Sequence, residues 1–406
     1  MNDLPLFLPC AAGVESWLAD EVARVGGSGA RDVQAARGGV RLAADWAAVM
    51  RLNLHSRLAQ RVLVQVGHGP YRTEDDVYAA AIAVPWEAWF TPRQSFKIEF
   101  TAHQSPLKSL NFAALRVKDA VADRFRERGG VRPDVDTQRP DVRVFAHLGA
   151  EQLTLYVDTS GEPLFKRGWR ADKGDAPLKE TLAAAMLAAS GWDATVPLYD
   201  PCCGSGTIAI EAAQIACGIA PGLLRRFGFE RLAGHDAAAW AAIQAQAQAA
   251  RHAPTAPVFG SDVAHRMVDF AQRNAERAGV AAALQLRGGD ALQRMPPSET
   301  PGVLLLNPPY GERIEAAGVA GRGRGGREQA QMAQAGDFFA QLASHWKRHY
   351  AGWTAWVLSP DAKLPTRMRL KESRRIPMWN GPIECRLFRF DMVAGSARAR
   401  DAAPGD

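Results

Sequence analysis

The chain has 406 residues, 47% of them hydrophobic and 23% charged, which excludes a disordered or fibrous polypeptide and points to two or three cored domains. Its net charge of +6 permits a polyanionic partner without demanding one. Five cysteines, at 10, 202, 203, 217 and 385, have neither disulfide-framework nor zinc spacing, and no apolar run reaches spanning length. A protein of the reducing cytoplasm is therefore expected, with no metal site and no membrane association.

Residues 4–9 predict a strand, 14–25 an amphipathic helix with Trp17, Leu18 and Val22 on one face, 40–42 a strand, 46–54 a helix and 61–66 a strand. Together they make a small α+β unit over 1–65, ferredoxin-like in layout. A second α+β unit is predicted over 66–165. Thr73, followed by Glu74, Asp75 and Asp76, gives its first helix an N-cap with acids at the positive end of the dipole. A strand at 95–100, a helix at 112–125 and a strand pair at 142–148 and 152–158 complete it. Lys97, Lys108, Arg116 and Lys118 in this unit, with Lys166 and Arg167 just beyond, are candidate phosphate contacts. The linker 166–174 also carries Trp169 and Arg170, which suit an RNA contact and a hinge around a buried ring equally well.

From 175 the pattern changes to alternating strands and helices. A helix over 178–187 precedes an apolar strand at 196–200 that ends in Asp200. Pro201-Cys202-Cys203-Gly204-Ser205-Gly206-Thr207 follows, and Ile208 begins a helix. Glycines between a strand and a helix let backbone approach a ligand closely. The spacing also satisfies the dinucleotide fingerprint, but a carboxylate at the strand end suits an ammonium better than a pyrophosphate. An Ala/Gln-rich helical insertion spans 214–256, and further strands are predicted at 257–262 and 284–286, the latter followed by Gly288-Gly289-Asp290. The run Val303–Leu306 is a buried strand leading into Asn307-Pro308-Pro309-Tyr310. The prolines stiffen this loop. Its Asn307 oxygen and outward carbonyls can accept both hydrogens of an exocyclic base amine, while the Tyr310 ring stacks on the base. Accepting those hydrogens favours the pyramidal amine, whose lone pair can attack a methyl group. Residues 316–336 are low-complexity and cationic, read as a flexible loop. A helix at 338–350 and strands at 353–358 and 386–390 precede a tail at 393–406 expected to be disordered.

These motifs resemble those of class I S-adenosylmethionine-dependent methyltransferases that modify exocyclic base amines. More narrowly, the chain resembles the THUMP-domain large-subunit rRNA guanine-N2 methyltransferases of the RlmL type. Residues 176–185, Ile219-Ala220-Pro221-Gly222-Leu223, Gly234-His235-Asp236, Trp240, 307–314 and 381–388 add to the resemblance, which is dense over 175–390. It implies an α/β protein: a ferredoxin-like unit, a THUMP unit at 66–165 that binds RNA, and a Rossmann-like catalytic domain with a mostly parallel sheet over 175–392. The longest members carry a second methyltransferase unit; this chain is expected to make a single modification.

The resemblance also implies roles. Backbone at Cys203, Gly204, Gly206 and Thr207 would hold the methionine end of S-adenosylmethionine, and Asp200 its ammonium. Asp262 would bind the ribose hydroxyls and Asp290 the adenine amine, with Lys179, Glu180 and Thr181 lining the site. Asn307, Pro308, Pro309 and Tyr310 would hold the target base. The substrate would be large-subunit (23S) rRNA or an assembling ribosomal particle. Two alternatives stay open at this level: an adenine-N6 methyltransferase acting on DNA or RNA, and a non-catalytic RNA-binding factor in ribosome assembly. A methyl-accepting thiolate at Cys202 or Cys203 has no activating base nearby in sequence.

Overall fold

The computed structural model describes residues 3–174, 177–308 and 335–393. In chain order the first part runs β1 Leu4–Pro9, α1 Glu15–Gly26, β2 Ala30–Ala36, β3 Gly39–Ala44, α2 Trp46–His55, β4 Leu63–Pro70, α3 Glu74–Ala83, β5 Phe96–Ala102, α4 Leu110–Gly129, β6 Val142–Leu148 and β7 Gln152–Asp158. It continues with α5 Glu180–Ser190, β8 Leu198–Asp200, α6 Thr207–Ala216, α7 Ala237–Ala249, β9 Val258–Asp262, α8 His265–Arg277, β10 Leu284–Gly288 and β11 Val303–Leu306. The last elements are α9 Ala335–His349, β12 Thr354–Ser359, α10 Leu364–Met368, β13 Arg374–Asn380 and β14 Ile383–Asp391.

Two compact units result. The first comprises 1–169, 180–185 and 218–251; the second comprises 170–179, 186–217 and the chain from 252 onward, within the described residues. The first is built on one seven-stranded sheet of order β2-β3-β1-β4-β7-β6-β5. The boundary anticipated between 65 and 66 falls inside β4. That strand pairs with β1 through Leu6↔Val64 and Phe7↔Leu63, and with β7 from Leu63↔Asp158 to Pro70↔Gln152. The ferredoxin-like and THUMP-like parts thus share a sheet. At the start of α3 the cap expected of Thr73 is reciprocal: its hydroxyl accepts from Asp76 N–H, and the Asp76 carboxylate accepts from Thr73 N–H.

The helical insertion belongs with this first unit. Gly222 N–H donates to the Leu54 carbonyl at 3.0 Å, and a Cβ at Gly222 would lie 2.8 Å from that oxygen. Arg225 donates to the carbonyls of Ser160, Glu162, Pro163 and Lys166. Burial pulls its guanidinium down to about 10. Gly234 lies so close to the Trp46 indole that a Cβ would come within 2.4 Å of it. Asp236 caps α7 through Ala238 N–H and Ala239 N–H, and Trp240 meets the Phe229 ring edge-on at 5.0 Å. Three of the stretches quoted above for their resemblance therefore have a packing reason.

The second unit holds a seven-stranded sheet of order β10-β9-β8-β11-β12-β14-β13. Strands β10, β9, β8, β11 and β12 run parallel to one another, while β14 runs antiparallel to β12 on one side and to β13 on the other. The sheet is mostly parallel, as expected, with its order reversing between β8 and β11. Ligands of such sheets lie outside the carboxyl ends of the strands at that reversal. One face is filled by Leu304, Leu306, Val357, Phe388, Trp346 and Tyr350, all nearly inaccessible. Strands β2 and β13 were not anticipated; both are edge strands, β2 has no buried residue to mark an inward face, and β13 carries Pro377, which argues against a strand in sequence. Among the described residues no helix is long and apolar enough to cross a membrane.

Candidate active site

Four chain segments leave the second sheet at the reversal and bring the candidate residues to its carboxyl edge. Asp200 ends β8, Asp262 ends β9, Asp290 lies just beyond β10, and Asn307 follows β11. The register pairs Asp200 with Gly260 and Gly288 with Asp262, so these ends lie side by side.

Asp200 is 1% exposed, and one carboxylate oxygen accepts from Cys202 N–H at 3.1 Å. No cationic side chain among the described residues pairs with it. Burial pushes its carboxyl up to about 8, against the Cys202 hydrogen bond and with a further push from Asp262. Such a group suits an incoming cation. Asp262 is only half-buried; one oxygen accepts from Gly204 N–H and the other from Ala264 N–H, both at 2.9 Å. One oxygen of the half-buried Asp290 accepts from Leu292 N–H at 2.9 Å.

The glycine loop has the backbone its sequence requires. Gly204 (φ +53°) and Gly206 (φ +89°) both sit in the left-handed region. A Cβ at Gly204 would meet only the Met267 methyl, at 3.9 Å, which leaves room beside the loop. Cys203 N–H donates to the Ser261 carbonyl, binding the loop to β9. Burial, then Asp200 and Asp262, drive both thiols far above their ordinary range. Both shifts disfavour the thiolate form. Thr207 is buried at the start of α6. Lys179 is exposed just before α5, and Glu180 and Thr181 are buried in its first turn, where they count with the first unit.

Asn307 Oδ1 is buried and has no hydrogen-bond partner among the described residues. An orphaned acceptor of this kind costs roughly 1–3 kcal/mol and is rare in native structures. Pro308 is buried beside it, whereas Pro309, Tyr310 and all but the last two residues of the cationic stretch 316–336 lie outside the described residues; those two begin α9.

The candidate phosphate contacts divide. Lys97 is half-buried on β5 and Lys108 is exposed ahead of α4. Arg116 donates to Asp75 and stacks over the Tyr78 ring at 4.3 Å; Lys118 and Lys166 pair with Asp119 and Glu162. Pairs this exposed are worth about 0–1 kcal/mol and exchange readily for phosphate. Arg167 is different. It is 2% exposed and donates to the carbonyls of Ser56, Leu164 and Arg57. It holds the fold from within, and the phosphate contact expected of it is corrected. Trp169 is likewise fully buried, so it is the packed ring and not a base contact. Sequence reasoning left Asn274 out altogether. This fully buried side chain on α8 bonds both the glycine loop and the linker, partners 69 and 102 residues away that no local pattern could indicate.

A reversed parallel sheet, a glycine loop between β8 and α6, and carboxylates ending successive strands define a Rossmann-like fold of the class I methyltransferase kind. The family model described as the RMKL-like methyltransferase domain matches residues 167–389, and the chain belongs to that family. Models of the THUMP domain and the RlmL ferredoxin-like domain match 71–158 and 5–63. A ribosomal RNA large subunit methyltransferase K/L from Shewanella loihica is 38% identical over 98% of this chain and 54% of its own length. That of Shewanella frigidimarina is 36% identical over 97% and 53%. The chain thus spans about half the length of the curated relatives it matches. Among solved structures, a methyltransferase complexed with SAH, SMU.472, superposes with a TM-score of 0.83 at 26% identity, covering 96% of this chain and 98% of that one. A predicted N6-adenine-specific DNA methylase from Listeria monocytogenes gives 0.82 at 28%, covering 96% of each chain.

Proposed function

We propose that the protein is an S-adenosylmethionine-dependent RNA methyltransferase that modifies the exocyclic N2 amine of a guanine in large-subunit rRNA. The observation that carries this reading is the pairing, at one sheet edge, of a buried carboxylate lacking a countercharge with a buried amide oxygen lacking a donor. The first fits the ammonium of the cofactor and the second the amine of a base. The solved relative with SAH supports the cofactor, and the relatives' names support the RNA.

When bound, the cofactor supplies an electrophilic methyl on a sulfonium; transfer breaks the S–C bond, leaves its electron pair on sulfur and forms an N–C bond. The residues of the chain align and stabilise. Asp200 neutralises the ammonium in a dry setting. Cys203, Gly204, Gly206 and Thr207 present backbone to the methionine end, Asp262 accepts from the ribose hydroxyls, and Asp290 from the adenine amine. Lys179, Glu180 and Thr181 are assigned to the same pocket by resemblance alone. Asn307 and the Pro308 carbonyl accept the two hydrogens of the target amine, concentrating its lone pair toward the methyl. The methylated nitrogen is cationic and loses its proton to solvent. Pro309 and Tyr310 complete the base platform in this reading.

The division of labour we propose follows the sequence boundaries: 1–65 and 66–165 position RNA, 166–174 links, and 175–392 performs the chemistry. Lys97, Lys108, Arg116, Lys118 and Lys166 supply salt-sensitive phosphate contacts. An rRNA substrate places the protein in the cytoplasm. The test is nucleoside mass spectrometry of rRNA from cells with and without the protein. Loss of N2-methylguanosine supports the reading; loss of N6-methyladenosine would replace it with the second reading, which the Listeria methylase favours.

A further inference from the structure

A loop with two left-handed glycines has little conformational preference of its own, so something must hold it. Two side chains from outside the loop do. Asn274 is fully buried on α8, one turn beyond Ala271, whose Cβ would lie 3.0 Å from a Cβ placed on Gly206. Its amide nitrogen donates to the Ser205 carbonyl at 3.0 Å and to the Asp172 carbonyl at 2.8 Å. Its oxygen accepts from Ala171 N–H and Asp172 N–H, each at 3.3 Å, and from Arg277 at 2.6 Å. Arg170 reaches the same loop from the linker. One guanidinium nitrogen donates to Ser205 Oγ at 3.0 Å, and another donates to Thr207 Oγ1 at 2.8 Å. The linker is itself pinned, because Asp172 pairs with Arg273 and Arg277, which hold its carboxyl down at about 2.

The linker and the glycine loop are therefore fastened to each other at both ends of the loop's polar stretch. We propose that Arg170 and Asn274 are positioning residues that clasp the glycine loop in its cofactor-binding form. The inference rests on the reading of that loop as the S-adenosylmethionine site. It goes further by assigning part of cofactor affinity to the linker, through Arg170. Neither residue needs to touch the cofactor or the base. The clasp preorganises the backbone, so its loss lowers affinity and leaves the rate at saturating cofactor nearly unchanged.

Calorimetric titration of the full-length protein with S-adenosylhomocysteine tests this, alongside steady-state kinetics and thermal unfolding of the empty protein. Arg170→Gln should weaken binding about tenfold, the worth of one or two hydrogen bonds from a charged donor, and raise KM for the cofactor while kcat holds. Arg170→Lys cannot span two hydroxyls with one planar fork and should fall between the two. Ser205→Ala combined with Arg170→Gln should cost less than the sum of the single changes, because both remove the same bond. Wild-type affinity in Arg170→Gln, or strict additivity with Ser205→Ala, would overturn the clasp alone. A wild-type protein that binds no S-adenosylhomocysteine would overturn the site assignment, and the clasp with it. Should Arg170→Gln not fold, Arg170→Lys carries the test, and unchanged affinity there would be decisive against it.

Discussion

Two buried carboxylates, one in each unit, are treated in opposite ways. In the first, buried charge is met from within. Asp158 is inaccessible, pairs with Arg61 and accepts from Ser160 N–H, although burial still pushes its carboxyl up to about 6. Arg143 bridges Glu99 and Glu162, while Arg167 and Arg225 sit among carbonyls. In the second unit, Asp200 has no cation and Asn307 Oδ1 has no donor among the described residues. The contrast is one of partners and not of residue type, since Asp158 and Asp200 are both buried aspartates at the end of a strand.

Asn307→Ala gives the hardest test of that contrast. Removing a single placed acceptor from a transition state typically costs about 10²–10³ in rate, and binding of S-adenosylhomocysteine should stay within about twofold. Single-turnover assays check it, and a variant within a few-fold of wild type would mean the orphaned oxygen is not for substrate. Arg167→Ala probes the opposite side. It strands buried carbonyls, so denaturant unfolding should show a loss of about 2 kcal/mol or more, with RNA affinity of the folded protein unchanged.

Asp200 makes the contrast pH-dependent. Its carboxyl is mostly protonated below about 8 in the empty protein. Pairing with an ammonium requires the charged form, so binding must release a proton. Affinity should rise as pH increases from 6 and level off above 8; Asp200→Asn should be weaker and flat. Stability of the empty protein runs the other way. A folded-state value raised above the unfolded one contributes stability that is present at low pH and lost as pH rises toward 8. Parallel titration of binding and unfolding separates the two. Lys108→Ala should have the smallest effect, lowering the slope of RNA affinity against salt by about one counterion without altering Tm.

Much of this site was legible because its signals are local. Apolar strands ending in Asp200, Asp262 and Asn307, with glycines following Asp200, read directly as the edge of a parallel sheet. The parts that were not legible depend on distant partners. Arg167 in a basic, glycine-containing stretch looks exposed, and the carbonyls of Ser56 and Arg57 that bury it are 111 and 110 residues away. Asn274 has the same difficulty. The insertion at 218–251 reads as part of the catalytic unit by position, yet Leu54, Ser160 and Trp46 claim it through contacts that no periodicity encodes. A fragment beginning at 170 would strip that segment of its partners, which is why the full chain is the right object for every test above.

Strand β4 has a consequence for how the first unit melts and how it is inherited. With β1 on one side and β7 on the other, neither half of the sheet can open without exposing a raw edge on the other. Heating should unfold 1–158 in one cooperative step, not as two small domains in succession. Over evolutionary time, recombination between 65 and 66 would hand a foreign partner half a strand with the wrong register, so the two parts should be exchanged together or not at all.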